Sequence, residues 1–265
     1  MPAVNLEQLL ASGAHFGHLT RRWDPKMKPY IFMQKNGIHI IDLKKTQISI
    51  DKAVKAMNQI IADGYEVLFV GTKVQAKEII SAEAQRSNQF FVTHRWLGGM
   101  LTNFSTIKKS IKHYKNLDKM SKDGTYEKIS KKERLSIDRE KEKLYKVLCG
   151  IEEMKRLPGA VFIVDTKKEH IALKEAIKMR IPVFAMVDTN SDPTLVDFPI
   201  PANDDAAKSI SLIVSKIADT IIEAKQKRQE DKAIAEAAEE EKKAADVNAE
   251  ESTENKKQKK TKKES

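Results

Sequence analysis

The stretch Gln89-Phe90-Phe91-Val92-Thr93-His94-Arg95-Trp96-Leu97-Gly98-Gly99-Met100-Leu101-Thr102-Asn103-Phe104 is the junction on which the chain turns. Phe90 to Val92 is a short apolar run and reads as a buried strand. The chain turns polar at Thr93-His94-Arg95. Gly98-Gly99 then permits backbone angles that other residues resist. From Phe104 onward the chain reads as helical and is rich in lysine. An α/β body therefore lies behind the stretch and a basic arm leaves from it. Arg95, Trp96 and two glycines within five residues favour a surface that meets a partner over a reaction centre.

Working back from the junction, Val67 to Val70 is a continuous apolar run, the mark of a parallel strand covered on both faces. Gly71-Thr72-Lys73 and a helix over Val74–Ser87 come after it. Thr46 to Asp63 reads as an amphipathic helix with Ile48, Val54, Met57, Ile60 and Ile61 inward, ended by Gly64. Tyr30–Met33 and Ile38–Leu43 flank Asn36-Gly37, which predicts a hairpin. Ahead of them, Arg21, Arg22, Trp23, Lys26 and Lys28 share a segment with Pro25 and Pro29. The prolines disfavour helix interior, so an ordered loop carrying basic and aromatic groups is expected, a combination suited to phosphates and exposed bases. A lone aromatic that merely plugs the core is the plainer reading of Trp23. Asn5 to Ser12 is a short helix with Asn5 as its cap.

Forward of the junction, an arm spans 105–156. Ile107, Ile111, Tyr114 and Leu117 form one apolar stripe; Leu144, Val147, Leu148, Ile151 and Met154 form another. Lys122-Asp123-Gly124-Thr125 between them is a turn signature. This predicts an antiparallel coiled-coil hairpin projecting from the body. It holds 16 Lys and Arg against 9 Asp and Glu, so most of the excess positive charge sits here. A solvated helix pair would need no partner; Lys108, Lys109 and Lys112 make an electrostatic clamp on nucleic acid the sharper reading. Beyond the arm, strands over Ala160–Val164, Pro182–Val187 and Phe198–Ile200 alternate with helices over Lys168–Arg180 and from Asp204 to about Lys227. That alternation means a Rossmann-like, flavodoxin-like α/β fold: a parallel sheet with helices on both faces. The domains are then an α/β body, 1–104 and 157–228, with the hairpin inserted at 105–156. From 229 to 265 the composition collapses to a disordered charged tail, with a trace of helix near Ala233–Ala238.

The net charge of +10 and a pI near 9.4 favour a polyanionic partner. A single cysteine, Cys149, cannot close an internal disulfide and fits a reducing cytoplasm. The first residues do not read as a signal peptide, and no stretch approaches the roughly 18 apolar residues of a membrane helix. No membrane partner is expected.

Chemistry is hard to find. Gly71-Thr72-Lys73 follows a buried strand, where a phosphate loop would sit, but neither glycine-rich nucleotide signature is present. Asp165 and Asp188 end successive strands, where acids of open α/β sheets act, yet loop caps explain them equally well. His15 and His18 are three apart and, with Asp188 or Asp205, are the best metal candidates. Gly13 and Gly17 argue against the helix that would align the pair, and the expectation is no metal, no cofactor and no small-molecule substrate. A nucleotide-binding enzyme using the carboxyl edge of the sheet is the alternative.

Several blocks together resemble a known family. Gly13-Ala14-His15-Phe16-Gly17-His18, Arg22-Trp23-Asp24-Pro25-Lys26-Met27-Lys28-Pro29, Phe69-Val70-Gly71-Thr72-Lys73, His94 to Asn103, Asp188-Thr189-Asn190-Ser191-Asp192-Pro193 and Ile200 to Asp205 look like bacterial small-subunit ribosomal protein S-two, in the same order, over about residues 3–227. The resemblance implies a structural, non-enzymatic constituent of the small ribosomal subunit in the cytoplasm. It also implies contact with ribosomal RNA and with neighbouring proteins, among them the large messenger-capturing protein S-one. The residues matching its blocks and expected at RNA are Arg21, Arg22, Trp23, Lys26, Lys28, Arg95, Trp96 and Asn103, joined by Lys108, Lys109 and Lys112 of the arm.

Overall fold

Five strands carry the body: β4 (Val67–Val70), β5 (Phe90–Val92), β6 (Ala160–Val164), β7 (Val183–Val187) and β8 (Phe198–Pro201). They pair in the order β5-β4-β6-β7-β8, every neighbour parallel. Counted within this sheet the order is 2-1-3-4-5, the flavodoxin-like arrangement. Every residue of β4, β6 and β7 is buried, as their unbroken apolar runs require. The computed structural model describes residues 3–123 and 130–231. The chain divides into two units, 1–222 and 223–265. Both sheets and the arm lie in the first; in the second, 223–231 are helical.

A second, antiparallel sheet precedes the body. It contains β1 (Phe16–Leu19), β2 (Ile31–Lys35) and β3 (Ile38–Ile41), in the order β1-β3-β2. Asn36 and Gly37, with φ of 51° and 73°, form the expected tight turn between β2 and β3. Strand β1 was hidden in the sequence because its residues are half-exposed and interrupted by Gly17. The proline segment is not plain loop: Thr20–Arg22 and Pro25–Tyr30 are 3-10 turns, with Pro29 inside the second. A 3-10 turn makes few backbone bonds, so it tolerates proline better than an α-helix does.

Helix α1 (Leu6–Ala11) starts at Asn5, whose backbone N–H donates to the Gln8 side chain at 3.1 Å. Helix α2 (Leu43–Ala62) begins three residues before the expected start, capped by the Asp42 carboxylate. Its buried face is Thr46, Ile50, Ala53, Met57 and Ile61; Ile48 is exposed, and Val54 and Ile60 are only half-buried. The helical register, rather than apolar character alone, chose the inner face. Helices α3 (Val74–Arg86) and α6 (His170–Lys178) follow β4 and β6. A further helix, α7, covers 207–231, and its residues Ile210, Ile213, Val214, Ile217 and Ile221 are fully buried.

In the arm, α4 (Phe104–Lys122) and α5 (Lys131–Leu148) lie side by side. Lys141 reaches Asp118, the Tyr145 ring sits 6.0 Å from the Tyr114 ring, and Lys115 reaches Glu153 at 2.8 Å. The arm does not merely project. Ile107, Ile111, Tyr114, Leu148, Ile151 and Met154 join one core with the sheet residues Leu68, Val70 and Val92. The expected turn at 122–125 and the tail from 232 onward fall largely or wholly outside the described residues.

Candidate functional site

The carboxyl edge of the parallel sheet is where open α/β folds bind ligands. The chain places acids there instead of a phosphate cradle. Asp165 follows β6, Asp188 follows β7, and Asp204 and Asp205 follow β8. Lys73, after β4, lies 2.6 Å from Asp204, 2.5 Å from Asp205 and 3.4 Å from Asp165. Burial would lower the Lys73 ammonium; Asp204, Asp205 and Asp165 outweigh that and push it up. Burial, Asp188 and Asp165 drive the Asp204 carboxyl up to about 7, with Lys73 opposing. Four carboxylates against one lysine repel a nucleotide's phosphates. Gly71 serves packing: a Cβ there would come within 2.3 Å of Ile80 Cδ1.

His18 completes the cluster. Its Nδ1 lies 3.0 Å from Asp188 and its Nε2 lies 3.3 Å from Asp205. The Asp188 hydrogen bond raises its pKa, against burial. The backbone N–H of His18 donates to Thr189 Oγ1 at 2.8 Å. His15 and His18 do not pair, because β1 replaces the helical turn that would have aligned them. The His15 ring lies 4.0 Å from the Phe16 ring, tilted by 38°, and burial alone lowers its pKa. Asp204, not singled out in the sequence, belongs with His18 and Asp188; its signal was the buried strand end just before it.

The junction loop is held from beneath by a residue sequence reasoning missed, Glu175 on α6. Its Oε1 accepts from Trp96 Nε1 at 3.1 Å and from the Gly99 N–H at 2.7 Å. Its Oε2 accepts from the N–H groups of Leu101 and Thr102 and from Thr102 Oγ1, at 3.0, 3.1 and 3.1 Å. Burial would raise this carboxyl; the bonds from Trp96, Thr102, Gly99 and Leu101 more than offset it and hold it below the usual glutamate range. Gly99, at φ 88°, makes the bend that turns these N–H groups inward. Trp96 is 7% exposed and therefore offers no free face to a base. It anchors the loop. A lone acid among Ala172, Leu173 and Ala176 on an apolar helix face was the readable signal for Glu175.

The remaining candidates divide by what already engages them. Lys26 is committed: its Nζ bonds Asp192 at 2.5 Å and lies 3.4 Å from Thr194 Oγ1. Trp23 is half-buried, its ring 5.1 Å from His39. Asn103 caps α4, and its side-chain oxygen accepts from Thr106 Oγ1 at 2.9 Å. Arg21, Arg22, Lys28, Arg95, Lys108, Lys109 and Lys112 are exposed, and among the described residues none of them forms an ion pair. Lys108 rests over the Phe104 ring, 4.8 Å from its centroid.

Comparison with known proteins decides what this arrangement belongs to. The family described as Ribosomal protein S2 matches residues 9–224. The chain belongs to the ribosomal protein S2 family. The small ribosomal subunit protein uS2 of Chlorobaculum parvum is 59% identical over 236 residues, 89% of this chain and 94% of that one. The protein of the same name from Chlorobium phaeobacteroides is 59% identical over 235 residues, 89% and 93% of the two chains. That of Cytophaga hutchinsonii is 57% identical over 245 residues, covering 92% and 96%. The S2 family is structural and not enzymatic, so the nucleotide-enzyme alternative has no support. Among the described residues no helix is long and apolar enough to cross a membrane.

Proposed function

We propose that this chain, a structural constituent of the small ribosomal subunit in the bacterial cytoplasm, grips ribosomal RNA through cations that its own fold leaves unneutralised. The observation that carries this is the sorting of basic residues. Lys26, Lys73, Lys115 and Lys141 are consumed by acids within the fold. Arg21, Arg22, Lys28, Arg95, Lys108, Lys109 and Lys112 are exposed without an acid partner among the described residues. Such groups neutralise phosphate and fix position without reading sequence. Asn103 and the half-buried edge of Trp23 belong to the same contact; Lys26 and Trp96 shape it from within.

The parts divide the work. The body, 1–104 and 157–228, supplies the rigid base, and the 105–156 insertion is a coiled-coil arm that carries cations away from it. Neighbouring subunit proteins, S-one among them, meet apolar surface rather than charge. Leu6, Leu10, Phe32, Ile40 and Leu43 line an open groove, with Phe32 70% exposed. Sedimentation of a lysate through a sucrose gradient tests the reading. The chain should travel with small subunits and whole ribosomes and leave them as salt rises. A chain that stays among free proteins at low salt would overturn it.

A further inference from the structure

We propose that a cleft beside α6 receives one unpaired nucleotide of ribosomal RNA, with the base against an apolar wall and the phosphate on a rim of lysine and histidine. This rests on the RNA-binding reading above and gives it a specific seat. The cleft opens between the turn after β6, helix α6 and the turn after β7, with a volume of about 370 Å3. Lys167, His170 and Lys174 line it and are exposed, and among the described residues none of them forms an ion pair. His170 and Lys174 are four residues apart and so share one face of α6. Glu175, the next residue, is turned to the junction loop instead.

Beneath the cations the wall is apolar. Leu173 is buried, while Ile177 and Leu195 remain 46% and 50% exposed. Apolar surface left open beside uncommitted cations fits a nucleotide, whose flat base lies a short way from its phosphate. Thr166 also lines the cleft. It is 4% exposed, and its Oγ1 is buried without a hydrogen-bond partner. A buried hydroxyl left unpaired costs free energy, and a nucleotide oxygen supplies the partner.

The acids nearby do not close the cleft to RNA. None of the four carboxylates around Lys73 lines it. Of the two acids that do, Asp192 is bonded by Lys26. Asp24 accepts from the Lys26 N–H through Oδ1 and keeps its other oxygen for a ribose 2′-hydroxyl, the group that tells RNA from DNA. What adjoins the cleft favours RNA over an acidic protein segment. Asp24 sits in the segment that carries the exposed cations Arg21, Arg22 and Lys28, and Lys26 ties that segment to Asp192 on the cleft wall. RNA whose phosphates lie on those cations runs past the mouth of the cleft.

The test uses the full chain and small ribosomal subunits depleted of it, with rebinding read by co-sedimentation across a salt series. Lys167→Ala and Lys174→Ala should each weaken rebinding about fivefold and make the slope of log K against log salt shallower by about 1. Leu195→Ser should weaken it without changing the slope, because no counterion is involved. Thr166→Val should weaken it without lowering Tm. Ultraviolet crosslinking of the reassembled subunit should attach a nucleotide to the peptide holding residues 166–174 or 190–195. Circular dichroism confirms folding; Lys167, Lys174 and Leu195 are exposed, so their variants still decide should Thr166→Val unfold. Parent-like rebinding by these variants, while Lys108, Lys109 and Lys112 changed together to Glu weaken it, would remove the cleft and leave the RNA reading standing. Parent-like rebinding by both sets would remove both. A protein crosslinked at the cleft in place of RNA, or micromolar binding of free uridine monophosphate there, would also overturn the proposal.

Discussion

Glu175 shows how much one side chain can organise. Five donors converge on a carboxylate that is almost wholly buried, and together they fix the path from Trp96 to Thr102. Glu175→Gln keeps the size and replaces one acceptor with an N–H2 group that faces backbone donors. Leaving those donors unsatisfied should cost about 3 kcal/mol, which lowers Tm by roughly 10 °C for a chain of this size. Thermal denaturation checks this, and an unchanged Tm would mean that the bonds contribute little. The pH dependence has a definite sign. The folded carboxyl lies below its ordinary value of 4.5. Its contribution is therefore present above pH 4.5 and is lost as pH falls through the lower folded value. The Tm gap between the parent chain and Glu175→Gln should be constant at neutral pH and narrow only below about 4.5.

At the scale of elements, the sequence was most legible where one periodicity ruled. The runs Val67–Val70, Ala160–Val164 and Val183–Val187 are buried strands because no polar residue interrupts them, and Asn36-Gly37 can hardly be anything but a turn. It was least legible where long-range contacts override the local signal. Strand β1 exists because β3 pairs with it, and Trp96 reads as an exposed aromatic until Glu175 is seen 79 residues away. The candidates around His18 sort for the same reason: His18 lies beside Asp188 and Asp205, His15 turns away, and Asp204 enters only through the fold. The arm divides likewise. Its apolar stripes were readable, but that its base merges with the core was not. Gly150 sits at that merger, where a Cβ would meet the Phe91 carbonyl oxygen at 2.1 Å. Gly150→Ala must push the foot of α5 off β5, at a cost of about 3 kcal/mol; denaturant titration should show a lower midpoint. The cations of α4 make a separate prediction. Changing Lys108, Lys109 and Lys112 to Glu should weaken RNA binding. It should also make the slope of log K against log salt shallower by about 2–3, since three phosphate contacts no longer release counterions. An unchanged slope, measured by filter binding across a salt series, would remove the arm from the RNA interface.

For the molecule as a whole, a Rossmann-like body presents a cluster of acids at the carboxyl edge of its sheet in place of a nucleotide cradle, because function resides in the site and not in the fold. Acids fill the edge, and the exposed positive charge lies on turns, on the junction loop and on the arm. Such a design separates stability from binding. The buried apolar core runs from Val4 to Ile221 and includes the base of the arm. The last 34 residues are Ala, Glu, Lys and polar residues almost throughout, with little apolar surface to bury. Truncation after Asp231 should therefore move Tm by less than about 2 °C, because chain of so polar a composition has little to add to folding. Scanning calorimetry on the full and truncated chains checks this. A drop of several degrees would show that the tail packs on the body, and the boundary between the folded part and the tail would then have to move toward the C-terminus.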